Sequence, residues 1–351
     1  MDSTGGRVVL RNLTLEAAGQ IAVDMVGTGF VLQDLRLRCA ASDAAPVQNA
    51  IRAIDVARST IRRCQIQTAP GSSAHSAIQV RSLGDVLIAD NQLQHAGDGI
   101  DCAWGGIHVM GDSTGIDIRG NRVNGALGHG ITIGSVQWRA TDGSDLGHAA
   151  TGFGQMSPDE GVPFPTARLG PVPVDGQDYF PEPDLPMSDV LIADNEISGC
   201  RGSGIGALAL NVVHSDVSRA APLCMRRETF VLSGTIRGNR LRDNAAGPGA
   251  PDADRTRGGI TLSDVQEVTI EDNRISGPGR TEASGPRCGI FAGFGSGIVL
   301  RKNKIDLRTG ALTTDRDLSG GIVLSARAQD NLLELVVQDT PISDVRIEKI
   351  R

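Results

Sequence analysis

A repeated pattern of apolar residues around one fixed slot constrains this chain more than any other feature. Each copy has apolar residues at positions i, i+2 and i+7, and position i+5 is the slot. Asn fills the slot in most copies: Asn91, Asn121, Asn195, Asn239, Asn273 and Asn303. Earlier copies have Leu13, Leu35 and Cys64 there. The usual separation between slots is about 30 residues, the length of one supersecondary unit in a repeat protein.

A second short apolar segment lies between slots and usually begins with Gly, as in Gly106-Ile107-His108-Val109 and Gly130-Ile131-Thr132-Ile133. Apolar and polar residues alternate within each segment, which predicts β-strands. Strands this short cannot bury a face alone and become stable only when the next copy stacks on them. The pattern therefore predicts an all-β, right-handed parallel β-helix solenoid of about nine to eleven coils, with residues 1–351 in a single domain.

The Asn slot supplies the second argument for a stack. An Asn at the bend between two strands tolerates a left-handed backbone conformation. Its side-chain amide can also exchange hydrogen bonds with the Asn in the coil above and the coil below. The sequence therefore predicts one continuous Asn ladder that satisfies buried polar groups along the solenoid.

With these repeats the chain resembles the right-handed β-helix proteins of the pectate-lyase-like group. The resemblance covers nearly all of residues 7–350 outside the insertions described next. It implies the fold and leaves the activity open, because this scaffold carries lyases, hydrolases, epimerases, phage tailspikes and non-catalytic stalks.

Three segments interrupt the period: 137–188, 208–228 and 244–257. They leave from neighbouring coils, so we expect them to gather on one flank, the first of them over the coils that carry His108 and His129. That position would make them the wall of a cleft. Candidate glycan-binding residues on these insertions are Trp138, Tyr179, Phe180 and Arg226. The aromatic side chains would alternatively anchor the insertion to the coils.

One local motif points to an active site. The stretch Gly128-His129-Gly130-Ile131-Thr132-Ile133-Gly134-Ser135 is similar to a signature of polygalacturonases, and the resemblance implies a catalytic role for His129. Those enzymes carry an Asp pair in the preceding coil, where this chain has Gly105-Gly106. Their Asn-Thr-Asp and Arg-Ile-Lys motifs are also missing. Inverting glycoside hydrolysis needs two carboxylates, so another source for them is required.

Asp98 and Asp101 lie in the coil before His129 and are the candidate acid/base partners. Residues in one column of a parallel stack are about 5 Å apart from coil to coil. Both carboxylates would alternatively cap their own turn. His108 alternates with two apolar residues, so it should face outward if they face inward, and we include it among the catalytic candidates.

Composition and charge limit the classes of partner that this chain is expected to bind. The formal net charge is −7 and the basic residues are dispersed, which argues against nucleic acid. No apolar run is long enough to span a membrane. Six Cys without metal-ligand spacing predict small buried hydrophobic residues and neither a metal nor another cofactor.

The first residues lack the features of a signal peptide, and strand-like sequence begins by Val8, so we expect a longer parent chain or a lost leader.

Two functions stay open at this stage. The first is a carbohydrate-active enzyme, either a glycoside hydrolase or a polysaccharide lyase or epimerase. The second is a non-catalytic module such as a tailspike shaft, an injection-apparatus fibre or a surface adhesin. Both imply a glycan partner and favour an extracellular or cell-surface location. Strand-like sequence at both ends also predicts a capping domain or a homo-oligomer, because open edges invite pairing.

Overall fold

The computed structural model describes most of the repeats. The described residues are 2–3, 6–18, 21–40, 49–68, 76–95, 105–126, 128–140, 172–174, 177–183, 185–200, 202–207, 231–244, 257–262, 265–277, 287–292, 295–306, 320–324, 336–338 and 345–347. All regular secondary structure in these ranges is β-strand.

The strands form three columns, numbered in the order in which their strands occur along the chain, starting with the strand that precedes the slot. The first column ends just before the slot: Val8–Arg11, Phe30–Gln33, the second halves of Asn49–Arg62 and Ser76–Ala89, Thr114–Arg119, Ser188–Ala193, Gly234–Arg237, Val268–Glu271, Val299–Arg301 and Val336–Gln338. The second column follows the slot: Thr14–Ala18, Arg36–Ala40, Gln65–Thr68, Gln92–His95, Arg122–Ala126, Glu196–Cys200, Arg240–Arg242, Arg274–Ser276 and Lys304–Asp306.

The third column contains the Gly-led segments. Its members are Asp2–Ser3, Val23–Thr28, the first halves of Asn49–Arg62 and Ser76–Ala89, Ile107–Val109, Ile131–Ile133, Ile205–Ala207, Arg257–Leu262, Arg287–Ala292, Gly320–Leu324 and Val345–Ile347. A short parallel pair, Val265–Gln266 with Gly295–Ser296, lies outside the columns.

Pairing within the columns is parallel, coil upon coil. Ile88 is in register with Ile118, and Ile118 with Ile192. The first and third columns join in one 19-stranded sheet, and the second column is a nine-stranded sheet, which lies within the predicted number of coils. The predicted fold class, an all-β parallel β-helix, is confirmed.

The core is a continuous stack of inward-facing aliphatic side chains, and Ile88, Ile118 and Ile192 are fully buried in it. Cys39, Cys64 and Cys200 are buried and form no disulfide. Burial raises the pKa of the Cys39 and Cys64 thiols to about 11 and that of Cys200 to about 12. These three side chains therefore stay protonated and serve as small hydrophobic residues, as predicted.

The Asn ladder is continuous over the six predicted members. Each side-chain nitrogen donates to the Oδ1 of the next: Asn91 to Asn121 at 2.9 Å, Asn121 to Asn195 at 3.0 Å, Asn195 to Asn239 at 3.0 Å, Asn239 to Asn273 at 2.9 Å and Asn273 to Asn303 at 2.9 Å. The same Oδ1 also accepts a backbone N–H, and the nitrogen also donates to a carbonyl such as that of Ile88. The ladder thus satisfies buried main-chain groups at every turn.

The left-handed residue lies one position before the slot, so the expectation that Asn itself adopts this conformation was wrong. Asp90, Asp194 and Asp272 have φ of 57°, 56° and 54°, and Gly120 occupies the equivalent position with φ of 64°. The slot Asn must keep its amide aligned with the coils above and below it. The change of chain direction therefore falls on the preceding residue, where Asp and Gly tolerate positive φ.

The Gly that opens a third-column strand is needed for close packing. A Cβ on Gly130 would lie 2.2 Å from Ile197 Cγ2, and one on Gly259 would lie 2.4 Å from Ile275 Cγ2. Both isoleucines belong to the second column. Glycine at these positions therefore lets the third column approach the core side chains of the second.

Two of the predicted insertion boundaries differ from those in the structure. Ser188 already belongs to a first-column strand, so the period resumes there. Asn244 is buried, accepts the Cys200 N–H at 3.1 Å and donates to the Ile197 carbonyl at 3.1 Å, so it is a coil residue. Within the first insertion, Gln177–Pro183 pairs antiparallel with both Val136–Ala140 and Val172–Val174.

We expect Asn121→Ala to lower the free energy of unfolding by about 1–3 kcal/mol, because its neighbours' buried amide and carbonyl groups lose their partners. The matched control is Asn124→Ala on the exposed face of the second column, which should change stability by less than about 0.5 kcal/mol. Urea denaturation measures both. Equal losses in the two variants would contradict the structural role of the ladder.

Candidate functional site

A row of aligned residues crosses the outward face of the third column. Strand register places Gln79, His108, Thr132, Gly206 and Thr261 opposite one another in successive coils. On its own strand, each of these residues lies between two residues of the hydrophobic core. The side chains of the four members other than Gly206 therefore point away from that core. We call these five residues the outer row.

The outer row is polar and buried. Gln79 is 7% exposed, His108 0%, Thr132 1% and Thr261 6%. Outward-facing side chains of a solenoid usually meet solvent, as the exposed second-column residues Gln92 and Arg122 do. Buried polar residues on this face are therefore the strongest sign of a specialised site in the described chain.

His108 points away from the core, as expected, but it is fully buried. Its Nε2 lies 2.8 Å from the carbonyl oxygen of Gly134. A carbonyl only accepts hydrogen bonds, so Nε2 of His108 carries the proton. The ring is thereby oriented by the chain segment that follows the next third-column strand.

His129 comes from the turn before a third-column strand and is 3% exposed. Its Nδ1 accepts the backbone N–H of Ser203 at 2.9 Å. An Nδ1 that accepts a hydrogen bond has no proton, so the neutral ring carries its proton on Nε2. The main chain of the next coil thus selects the tautomer of His129.

Gly206 provides the space for the His129 ring. A Cβ on Gly206 would lie 2.2 Å from Nε2 and 2.3 Å from Cδ2 and Cε1 of His129. The outer row has no side chain in this coil, and the imidazole from the preceding coil occupies the position. His129 is therefore brought into the row beside residues that are remote in sequence.

Ser203 connects this ring to the next member of the row. Its hydroxyl lies 2.6 Å from the hydroxyl of Thr261, while its amide holds His129. Ser203 is fully buried. Three successive coils thus contribute His129, Ser203 and Thr261 to one polar cluster.

The residues predicted from the sequence did not include Gln79, Thr132, Ser203 and Thr261. The signal for most of them was present: they occupy the central polar position of the third-column segments, as His108 does in Gly106-Ile107-His108-Val109. Aligning these segments by their first residue places their central residues in one row. Ser203 lies in a turn, so no alternation marks it.

An ion pair extends the same register toward the N-terminal coils. Arg52 is in register with Gln79 and donates to both carboxylate oxygens of Asp24, at 2.9 and 2.6 Å. The Arg52 hydrogen bonds hold the pKa of Asp24 below its usual range. The five residues of the outer row, from Gln79 to Thr261, include no Asp or Glu.

The other predicted site residues are placed only in part. Asp98, Asp101 and Arg226 lie outside the described residues. The backbones of Trp138, Tyr179 and Phe180 lie on two adjacent antiparallel strands. In that pairing Trp138 is opposite Pro181, Arg139 is opposite Phe180 and Ala140 is opposite Tyr179.

Within the described ranges, no group of three or more His, Cys, Asp or Glu side chains is arranged to hold a metal ion. The described chain also contains no helix that is long and apolar enough to cross a membrane.

No protein-family model and no curated protein matches this chain. Solved structures with similar folds include the enzymatically active domain of tailspike protein 2 of bacteriophage CBA120, with 9% identity and a TM-score of 0.43 over 92% of this chain and 37% of that one. A DFA-IIIase from Arthrobacter chlorophenolicus has 12% identity and a TM-score of 0.43 over 90% and 62%. An alginate lyase from Paenibacillus sp. has 9% identity and a TM-score of 0.34 over 93% and 95%. The chain thus spans less than two thirds of the first two proteins.

We expect Gly206→Ala to destabilise the protein by about 1–3 kcal/mol, because the new methyl group displaces the His129 ring from the outer row. Loss of the Ser203 amide hydrogen bond should appear in the ¹⁵N chemical shift of His129 Nδ1. Gly6→Ala is the matched control, since no atom lies within 4 Å of the added Cβ at Gly6. An unchanged Nδ1 shift in Gly206→Ala would contradict the proposed packing of the ring on Gly206.

Proposed function

We propose that this chain is a carbohydrate-active β-helix protein that binds a glycan along the outer row and modifies it there. The burial of the polar side chains from Gln79 to Thr261 on the outward face of the third column carries this proposal. The expected setting is outside the cell or at its surface, where polysaccharide chains are met.

The chemistry of the row suits a sugar. Hydroxyl groups of a glycan both donate and accept hydrogen bonds, and the row supplies an amide, two imidazoles and two hydroxyls in fixed positions. Two of these groups are oriented by the main chain, through Gly134 for His108 and Ser203 for His129. Preorganised polar groups in a recess fix the orientation of a small-molecule or polymer unit.

The start points of the insertions support the same location. The segment 137–188 begins just after buried Ser135, and 208–228 begins directly after the strand Ile205–Ala207. Both start points follow third-column strands of the outer row. We therefore propose that these insertions form the cleft wall, where Trp138, Tyr179 and Phe180 stack on sugar rings and Arg226 binds a polar substituent.

The tautomer of His129 defines its part in the chemistry. The neutral ring carries its proton on Nε2, because Nδ1 accepts the Ser203 N–H. His129 would then stabilise negative charge on a glycan oxygen. Proton transfer falls to Asp98 and Asp101: one would protonate the glycosidic oxygen and the other would remove a proton from the attacking water.

A non-catalytic glycan-binding module is the second candidate. The observation that favours it is the lack of a carboxylate in the row between Gln79 and Thr261. In that case the polar row recognises the glycan and the solenoid serves as a rigid support.

The deciding experiment incubates the purified protein with acidic and neutral polysaccharides and measures new reducing ends and unsaturated products. For an enzyme, His129→Gln should lower kcat by about 10²-fold or more, and Asp98→Asn or Asp101→Asn should lower it by about 10²–10⁴-fold. Exposed Gln94→Ala in the second column is the control and should retain full activity.

Glycan binding that needs His129 but yields no product would establish the non-catalytic candidate. Neither binding nor product with any polysaccharide would reject the proposed function. Full activity in His129→Gln would reject the assignment of the site to the outer row.

A further inference from the structure

The outward face of the second column carries long polar side chains in register. In successive coils one row contains Arg36, Gln65, Gln92, Arg122, Glu196, Arg240, Arg274 and Lys304. This row belongs to a different sheet from the outer row. Its last three members are all cationic, so the face becomes basic toward the C-terminal coils.

A groove of about 510 Å³ lies at this basic end. Arg240, Arg274 and Lys304 line it together with Arg242 and Asp306. Ile275 and Ile305 lie between these residues along their strands, and their side chains pack in or against the hydrophobic core. The side chains that the groove offers to a ligand are therefore mainly cationic.

Several cations elsewhere on the solenoid pair with a carboxylate of the neighbouring coil. Arg63 contacts Asp34 at 2.7 Å, Arg81 contacts Asp55 at 2.6 Å, and Arg242 in the groove itself contacts Glu196 at 2.7 Å. The hydrogen bonds of Arg63 lower the pKa of Asp34 to about 2. Coil-to-coil ion pairs thus neutralise part of the positive charge on this surface.

Arg240, Arg274 and Lys304 are neighbours in successive coils. Each is exposed, and none forms an ion pair with another side chain in the described ranges. Their register places like charges directly opposite one another in adjacent strands, an arrangement that destabilises a sheet. A bound anion would relieve this repulsion.

We propose that this groove binds an acidic polysaccharide, with one carboxylate or sulfate group on each of the three cations. Cations in successive coils recur at about 4.8 Å along the solenoid axis, a spacing close to the length of one sugar unit. A polymer along the axis can therefore present one anionic group per coil.

Charge favours an acidic glycan over nucleic acid. The chain as a whole has a formal net charge of −7, which repels a dense polyanion. Nucleic-acid sites often neutralise roughly 6–10 phosphates, whereas this groove offers three unpaired cations. A polymer with one charge per sugar matches that smaller number.

This inference goes beyond the proposed function, because it concerns a second face. A glycan held here would be retained whether or not the outer row acts on it. The two proposals can therefore fail independently.

The test measures binding of polygalacturonate, dextran sulfate and neutral dextran to the full chain by isothermal titration calorimetry. We expect at least one of the acidic polymers to bind, neutral dextran to bind far more weakly, and affinity to fall with added salt. The triple variant Arg240→Gln, Arg274→Gln, Lys304→Gln should weaken acidic-polymer binding about tenfold or more. Its thermal stability should be unchanged or higher, because the repulsion between coils is removed.

The matched control removes three exposed cations from the first-column side, by Arg11→Gln, Arg237→Gln and Lys302→Gln. This variant has the same net charge and should bind the polymer within about twofold of the parent. Both triple variants leave the outer row unchanged, so a difference between them concerns this groove alone and separates the two proposals.

Three results would overturn the inference. The first is failure of both acidic polymers to bind the parent chain. The second is equal weakening in the two triple variants, which would mean a general charge effect. The third is single-stranded DNA binding at the groove as tightly as the acidic polysaccharides.

Discussion

The structure depends on hydrogen bonds that each coil can complete only with the next coil. At each ladder position from Asn121 to Asn273, the side-chain nitrogen donates to the following Asn and to a main-chain carbonyl, while Oδ1 accepts the side-chain and backbone N–H of the preceding Asn. These groups are fully buried, so an unpaired member would carry the full desolvation penalty. The ladder therefore fixes the register of the stack, and every other row of side chains inherits that register.

The inherited register explains how a specialised face arises on a repetitive scaffold. Alternation along a third-column strand sends Ile107 and Val109 into the core and His108 to the opposite side. Stacking then aligns His108 with Thr132 above it. Only one coil lacks a side chain in this row, at Gly206, and that vacancy accommodates the ring of His129. A glycine in one coil thus positions a histidine from another.

The two proposed glycan surfaces rest on different physical principles. The outer row is buried, neutral and oriented by main-chain hydrogen bonds, as for Ser203 with His129. Such a site recognises shape and hydrogen-bonding pattern. The second-column groove is exposed and cationic at Arg240, Arg274 and Lys304, so it would respond to the charge spacing of a polymer and to ionic strength. A solenoid provides both because its columns face different directions.

The sequence by itself determined the repeat, the parallel β-helix, the six-member ladder and the structural role of Cys39, Cys64 and Cys200. These features follow from local spacing, which repeats in every coil. The tertiary structure alone placed the left-handed turn at Asp90 and its equivalents, one residue before the slot. It alone joined Ser203 and Thr261 to His129, because Ser203 lies in a turn that no alternation of apolar and polar residues marks. Spacing along the chain does not encode which turns meet, since the stacking of complete coils decides it.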